Sequence, residues 1–203
     1  MKNPEVKMVD MLVFTKGKSF NFVSELVRDL DENNCQVLDS QFMFLSADDV
    51  ARHYVHVVDK PFYPEISKLF SEHPVFLLKV HGTIEAVKSV VGKDTNPLSC
   101  ETLSFRGQHG NDMTDNAAHR SSCEEDAKKE VEMFFGNDGV VAKYRQNPEA
   151  QLEFYNKMIE YARKNACWIP LAIIRNVFGR FLSPFFYFKI YSYLDNLISI
   201  NIR

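Results

Sequence analysis

Apolar and polar positions fall into blocks along this chain, and the blocks have the lengths of strands and helices. Residues 9–14 (VDMLVF) form a mostly apolar run of strand length, broken by the polar Thr15-Lys16-Gly17-Lys18-Ser19. Phe20, Phe22, Val23, Leu26, Val27 and Leu30 then recur at helical spacing, and Asp31-Glu32-Asn33-Asn34 closes that face. Residues 35–45 predict a second strand, after which Ser46 with Asp49 three places on caps a short helix carrying His53 and Tyr54. Pro61 and Pro64 bracket Phe62 and Tyr63 in a rigid turn, where an aromatic ring either stacks on a base or staples a loop. Residues 66–70 continue as helix, and residues 74–80 (PVFLLKV) are an almost unbroken apolar run suited to a central strand. Residues 83–91 make a compact helix ended by Gly92. Short connections between alternating strands and helices predict an α+β domain in which helices cover one face of an antiparallel sheet.

The stretch 104–135 collects the chemistry. Ser121-Ser122-Cys123-Glu124 has the form of a Ser-x-x-Glu capping box, and Ala127, Val131, Phe134 and Phe135 follow at helical spacing. This predicts a helix beginning just after His119, with His119 at its N-terminus, where free N–H groups favour an anion such as phosphate. Arg106 can fork onto phosphate oxygens and Asn116 can donate a further hydrogen bond. Glu130 lies eleven residues past His119, about three turns along that helix by spacing alone, so only tertiary folding brings it to the imidazole.

Asn116-Ala117-Ala118-His119, with Ser121 behind, Arg106 thirteen residues ahead and Glu130 beyond, resembles the active-site signature of nucleoside diphosphate kinases, R…N-x-x-H-G-S-D…E. The segment HYVHVVDKPFYP resembles the family's H-Y-x-D-x-x-x-R-P-F-F-P, and Lys93-Asp94-Thr95-Asn96-Pro97 its G-E-T-N-P. The resemblance runs over roughly residues 9–136 and implies the ferredoxin-like βαββαβ fold. It also implies that His119 attacks the γ-phosphate of a nucleoside triphosphate and hands the phosphoryl group to a nucleoside diphosphate. Glu130 and Ser121 would orient His119. Lys16, with Lys18 as its rival, would hold phosphate together with Tyr54, Thr95, Arg106 and Asn116, while Phe62 would meet the nucleobase. Mg²⁺ would bridge the phosphates, and a homo-oligomer is expected.

Several positions depart from the family pattern. His119-Arg120-Ser121-Ser122 stands where the family has H-G-S-D, no Pro-Asp follows Lys16, and the arginine usually six residues before the threonine falls on Ser89, beside Lys88. A long cation in a glycine position either disturbs the backbone or reaches phosphate itself.

Composition adds a second region. The 203 residues carry a net charge of −3, too small for a global nucleic-acid signal, but the distribution is uneven. From Ala142 onward nine Lys/Arg face four Asp/Glu, so an acidic domain (1–138) precedes a basic, aromatic-rich and mainly helical extension (139–203). Residues 148–166 predict an amphipathic helix, and residues 168–203 interleave arginines with phenylalanines and tyrosines. Three fates suit such a tail: packing on its own domain or a neighbouring subunit, docking on a protein or RNA partner, or lying in a membrane interface. The docking fate carries a second reading of the whole chain, a weakened or inert nucleotide-fold protein that binds a large partner such as a ribonucleoprotein particle. Four scattered cysteines without a C-x-x-C pair argue against a zinc site and for reduced thiols in a cytoplasmic protein, and no metal-ligand set stands out. No secretory signal and no stretch of 18 apolar residues is visible, so no transmembrane span is expected.

Overall fold

The computed structural model describes residues 7–165. Four strands, β1 (Val9–Thr15), β2 (Gln36–Met43), β3 (Val75–Gly82) and β4 (Ala118–Arg120), form one sheet in the order β2-β3-β1-β4 with every pairing antiparallel. That order, with helices between the strands, is the expected ferredoxin-like α+β arrangement.

β1 and β3 are legible as apolar runs because both lie inside the sheet. Met11, Leu12, Val13 and Phe14 are all wholly buried, and a strand covered on both faces has no polar alternation to show. Met11 and Val13 pack with Leu78 and Val80 against Leu26 and Leu30 of α1 (Val23–Glu32) and Val87, Val90 and Val91 of α4 (Ile84–Val91). Phe14 points the other way, onto His53 of α2 (Ala47–His53), Phe70 of α3 (Tyr63–Glu72) and Phe134 of α6 (Glu124–Phe135). Helices therefore cover both faces, where a single covered face was expected. Each large side chain buried in these layers contributes about 1.5–3 kcal/mol.

Helix ends follow local signals at α2 and α4 and depart from one at α6. The Ser46 hydroxyl accepts from the Asp49 N–H at 3.1 Å, and Thr83 Oγ1 accepts from Ala86 N at 3.1 Å. Gly92 ends α4 at φ +121, a conformation that disfavours any side chain. The expected helix start after His119 is displaced: α6 begins at Glu124 with Cys123 before it, and His119 sits in β4, paired with Phe14. The reason is Ser121, whose hydroxyl accepts from Leu12 N at 3.0 Å and donates to Glu130 at 2.6 Å. Tertiary partners took the group that a cap would have used.

Past residue 138 the chain continues as α7 (Val140–Gln146) and α8 (Pro148–Asn165), after the short α5 (Phe105–His109) earlier on. Arg145 of α7 forks onto Asp39 of β2 at 2.8 and 3.0 Å, and Phe154 of α8 meets Phe42 edge-on. The first compact unit accordingly runs to Tyr161; the second begins at Ala162. The expectations for residues 168–203 lie outside the described residues. Cys35, Cys100 and Cys123 are free thiols, and among the described residues no helix is long and apolar enough to cross a membrane.

Candidate active site

β4 is an edge strand of three residues, and its alternation sends His119 toward the Phe14 face and Arg120 toward the Val13 face. A cavity of about 510 Å³ opens at this edge, floored by β4 and walled by α2, α6 and the loops that carry Lys16 and Thr95. Of the nine residues the sequence singles out, the cavity gathers seven: Lys16, Tyr54, Thr95 and Arg106, with Asn116, His119 and Glu130. Ser121 stands behind, fully buried, holding Glu130. Phe62 is the one placed elsewhere, 45 % exposed at the start of α3 and outside the lining.

His119 is held from three sides. Its ring stacks on Phe14 at 4.7 Å and meets His53 edge-on at 4.5 Å, and Nε2 lies 3.1 Å from Glu130 Oε1. That approach is out of hydrogen-bond alignment, which leaves Nε2 a buried nitrogen with no partner. The eleven-residue separation closes because the chain leaves the strand and returns as a helix. Glu130 Oε2 takes the Ser121 hydroxyl, so Oε1 is the oxygen left facing the imidazole. Burial first, then the positive charges of Lys16, Arg106 and Arg120, hold the His119 pKa well below the usual imidazole range. The ring is neutral at physiological pH, which is the nucleophilic form. His53 behaves alike, pulled down to about 3 by burial and by His119.

Arg52 and Lys129 of the lining are paired with Asp49 and Glu125, but the cations that act on the imidazole are not paired among the described residues. Between the two lysine candidates the structure separates clearly, since Lys18 is exposed whereas Lys16 is buried and lines the cavity. Burial, reinforced by Arg106 and opposed by Asp115, brings the Lys16 pKa down to about 7. Its ammonium stands 5.4 Å from the Tyr54 ring centre. Arg106 gives Nε and Nη2 to Ala118 O at 3.0 and 2.9 Å and Nη1 to Asp94 O at 2.6 Å. Among the described residues neither Lys16, Arg106 nor Arg120 makes an ion pair. Lys88, the cation beside Ser89, is spent on Glu85 at 2.9 Å and does not line the cavity.

Polar atoms are left open as well. The Tyr54 hydroxyl and Asn116 Oδ1 join His119 Nε2 as buried atoms without hydrogen-bond partners, and all three residues line this one cavity. Asn116 spends its amide donors on the carbonyls of Thr95 and Met113, so it presents an acceptor where a donor was expected. An unpaired buried polar atom costs about 1–3 kcal/mol; Nε2 faces the Glu130 carboxylate, but the Tyr54 hydroxyl and Asn116 Oδ1 in one cavity mark a place built for a polar ligand. The intervening Ala117 has φ +67 and is wholly buried, with its carbonyl receiving Lys16 N–H at 2.7 Å and the Ser19 hydroxyl. Such left-handed backbone in a residue with a side chain is strained and persists where the surroundings over-determine it.

His53, His119 and Glu130 place one ligand atom each within 4.8 Å of one another, the donor set of a transition metal. The surrounding fixed charges are cationic, so the field there favours an anion over a second cation. Sequence reasoning noticed His53 only as part of a helix, and left Arg52, Asp126, Lys129 and Met133 of the lining unremarked. The signal available for His53 was its place directly before Tyr54 in the matched H-Y pair.

The family model described as nucleoside diphosphate kinase matches residues 12–140. A nucleoside diphosphate kinase of Staphylococcus carnosus is 28% identical over 144 residues, covering 70% of this chain and 95% of that one. One from Methanosphaera stadtmanae is 30% identical over 113 residues, 55% of this chain and 74% of the other. Among solved structures, the apo nucleoside diphosphate kinase of Encephalitozoon cuniculi superposes with a TM-score of 0.59 at 22% identity, over 64% of this chain and 90% of that one. The Halobacterium salinarum enzyme in complex with CDP gives 0.58 at 24% identity, over 65% and 90%. These two likenesses bear on the fold.

Proposed function

Since the chain belongs to the nucleoside diphosphate kinase family, we propose that it transfers the γ-phosphoryl group of a nucleoside triphosphate to a nucleoside diphosphate through a phosphohistidine at His119. One observation carries this reading: a buried, neutral imidazole backed by a carboxylate faces a cavity in which Lys16, Arg106 and Arg120 make no ion pair among the described residues.

The chemistry follows from the positions. Nε2 faces Glu130, so Nδ1 is the nitrogen left to attack phosphorus. The nitrogen lone pair forms the N–P bond as the bond from phosphorus to the β,γ-bridging oxygen breaks, and the nucleoside diphosphate leaves with that electron pair. Positive charge growing on the ring draws the Nε2 proton onto Glu130 Oε1, which Ser121 holds in place. A second diphosphate then reverses the step with its own terminal oxygen. Lys16 and Arg106 stabilise the charge on the transferring phosphoryl oxygens, Thr95 and Tyr54 offer hydroxyls, and Asn116 Oδ1 accepts from a hydroxyl of the nucleotide.

Mg²⁺, the ion expected of the family, finds no oxygen cage among the described residues, because Glu130 is committed to Ser121 and His119 and the deep wall is cationic. Brought in with the nucleotide, it would supply positive charge to offset that of the phosphates. Cytoplasmic location, a homo-oligomeric state and a nucleobase contact by Phe62 belong to the same proposal as expectations of the family resemblance.

The test is phosphate transfer. The protein incubated with γ-labelled ATP and Mg²⁺ takes up acid-labile, base-stable label, passes it to added GDP or CDP, and loses both properties in His119→Ala. Absence of label in a protein that binds ATP would sink the proposal.

A further inference from the structure

Arg120 replaces the glycine that follows the histidine in the family pattern, and the cationic residue expected on α4 is missing from the cavity. These two departures meet at one place. Arg120 leaves β4 on the Val13 side of the sheet, is 7 % exposed and, at this open edge, still belongs to the lining of the same cavity as His119, Thr95 and Arg106. Its Nε donates to Gly92 O at 3.0 Å, Nη2 to Lys93 O at 2.8 Å and Nη1 to Ser121 O at 3.3 Å. A guanidinium has five N–H donors, so these bonds use three and leave two.

The acceptors are all backbone carbonyls, which fix the direction of the group without cancelling its charge. Arg106 is held in the same manner, by Ala118 O and Asp94 O. The loop leaving α4 runs between the two arginines. Gly92 makes that passage possible, because a side chain there would put its Cβ 2.8 Å from Cys100 Sγ and 3.0 Å from Arg106 Cβ. Two like charges buried near one another repel, and a polyanion in the cavity relieves both at once. Lys88 cannot serve instead, being paired with Glu85.

We infer that Arg120 is the second phosphate-binding guanidinium of this site, supplied by β4 instead of α4 and aimed by three carbonyls at the phosphates beyond the first of a nucleoside di- or triphosphate. The inference rests on the nucleotide reading of the cavity. His119, one residue away and open to the same cavity, takes the terminal phosphoryl group in that reading. Arg120 therefore faces the outer phosphates and leaves the base to the far end. The planar fork suits phosphate oxygens, which a glycine at this position could not hold.

The competing account is that Arg120 merely braces the loop of Lys93 to Thr95. Isothermal titration of the full chain with ADP and with AMP, both with Mg²⁺, separates the two. Phosphate binding predicts that Arg120→Gln weakens ADP about 30-fold and AMP less than about threefold, so the preference for the diphosphate falls roughly tenfold or more. Arg120→Lys, which keeps the charge and loses the fork, loses about three- to tenfold on ADP alone. Equal losses on the two nucleotides, or no loss on either, overturn the inference while leaving the nucleotide site intact. Failure of the unaltered protein to bind either nucleotide overturns the nucleotide reading and the inference with it. Thermal melts accompany each variant, and if Arg120→Gln does not melt cooperatively, the ADP-to-AMP ratio of Arg120→Lys decides alone.

Discussion

The two faces of the sheet at β1 use the same strand to opposite ends. On the Met11 and Val13 face the side chains meet Leu26, Leu30, Leu78 and Val87 in a closed apolar layer. On the Phe14 face the layer opens at its β4 end into a cavity where, among the described residues, the Tyr54 hydroxyl and Asn116 Oδ1 have no hydrogen-bond partner and Lys16 is buried without an ion pair. The difference separates what stabilises this chain from what it does. One face gains free energy from burial, and the other gives some back to keep polar groups ready for a ligand.

Removal of the nucleophile gives the largest functional contrast. His119→Ala is expected to lower phosphate transfer by at least about 10³-fold, with a melting temperature equal to or above that of the unaltered protein, as read by a coupled transfer assay and calorimetry. A large fall in stability would mean that His119 belongs to the core instead. The mirror experiment is Leu78→Ala on the closed face. It should cost about 3 kcal/mol, a lowering of roughly 6–12 °C, while ADP affinity at 15 °C stays within twofold.

Lys16 gives a smaller and two-signed effect. Replacement by Met removes a buried unpaired cation, so stability should rise by about 1 kcal/mol while ADP binding weakens about tenfold. With its free pKa near 7, Lys16 loses charge as pH rises, so ADP affinity should be about fourfold weaker at pH 8 than at pH 6.5. Lys16→Arg should bind with little dependence on pH over that range; an equal pH slope in both proteins would remove Lys16 from the phosphate site. The smallest effect concerns His53. Its folded pKa of about 3 lies below the unfolded value, so the unfolded chain binds more protons between pH 6.5 and 3 and stability falls as pH drops through that window. His53→Phe should flatten the decline in melting temperature between pH 6.5 and 4.5 by about 5 °C. Parallel curves would show that burial of His53 has no energetic part in keeping the site neutral.

Much of the closed face was readable before any coordinates. β1 and β3 announce themselves as apolar runs and Gly92 as a stop, because each obeys a local rule, and the Ser46 cap of α2 on the other face does the same. The open face was readable only as a motif. Nothing in Ala118-His119-Arg120 has strand periodicity, and this segment is extended because β1 offers it an edge. The Ser-x-x-Glu at 121 looked like a cap and became a bridge to Leu12 and Glu130, since a buried hydroxyl bonds to whatever the fold brings nearest. Covering of both sheet faces did leave a trace in the unbroken apolar run 11–14, which a strand with one solvated face would not show. His53 escaped notice because its contacts with Phe14 and His119 join three separate elements.

The three-residue length of β4 bears on how this chain can evolve. Its pairing sets Phe14 against His119 and Val13 against Arg120. A slip by one residue would exchange their faces, turning His119 to the Val13 side of the sheet and Arg120 to the Phe14 side. Ala117 pins one end of the strand and Ser121 the other, so no slack exists to absorb an added or lost residue. Point substitutions within residues 116–121 can be graded in effect, but a single-codon insertion or deletion there inverts the site in one step. Length, more than identity, is what the geometry of this segment constrains.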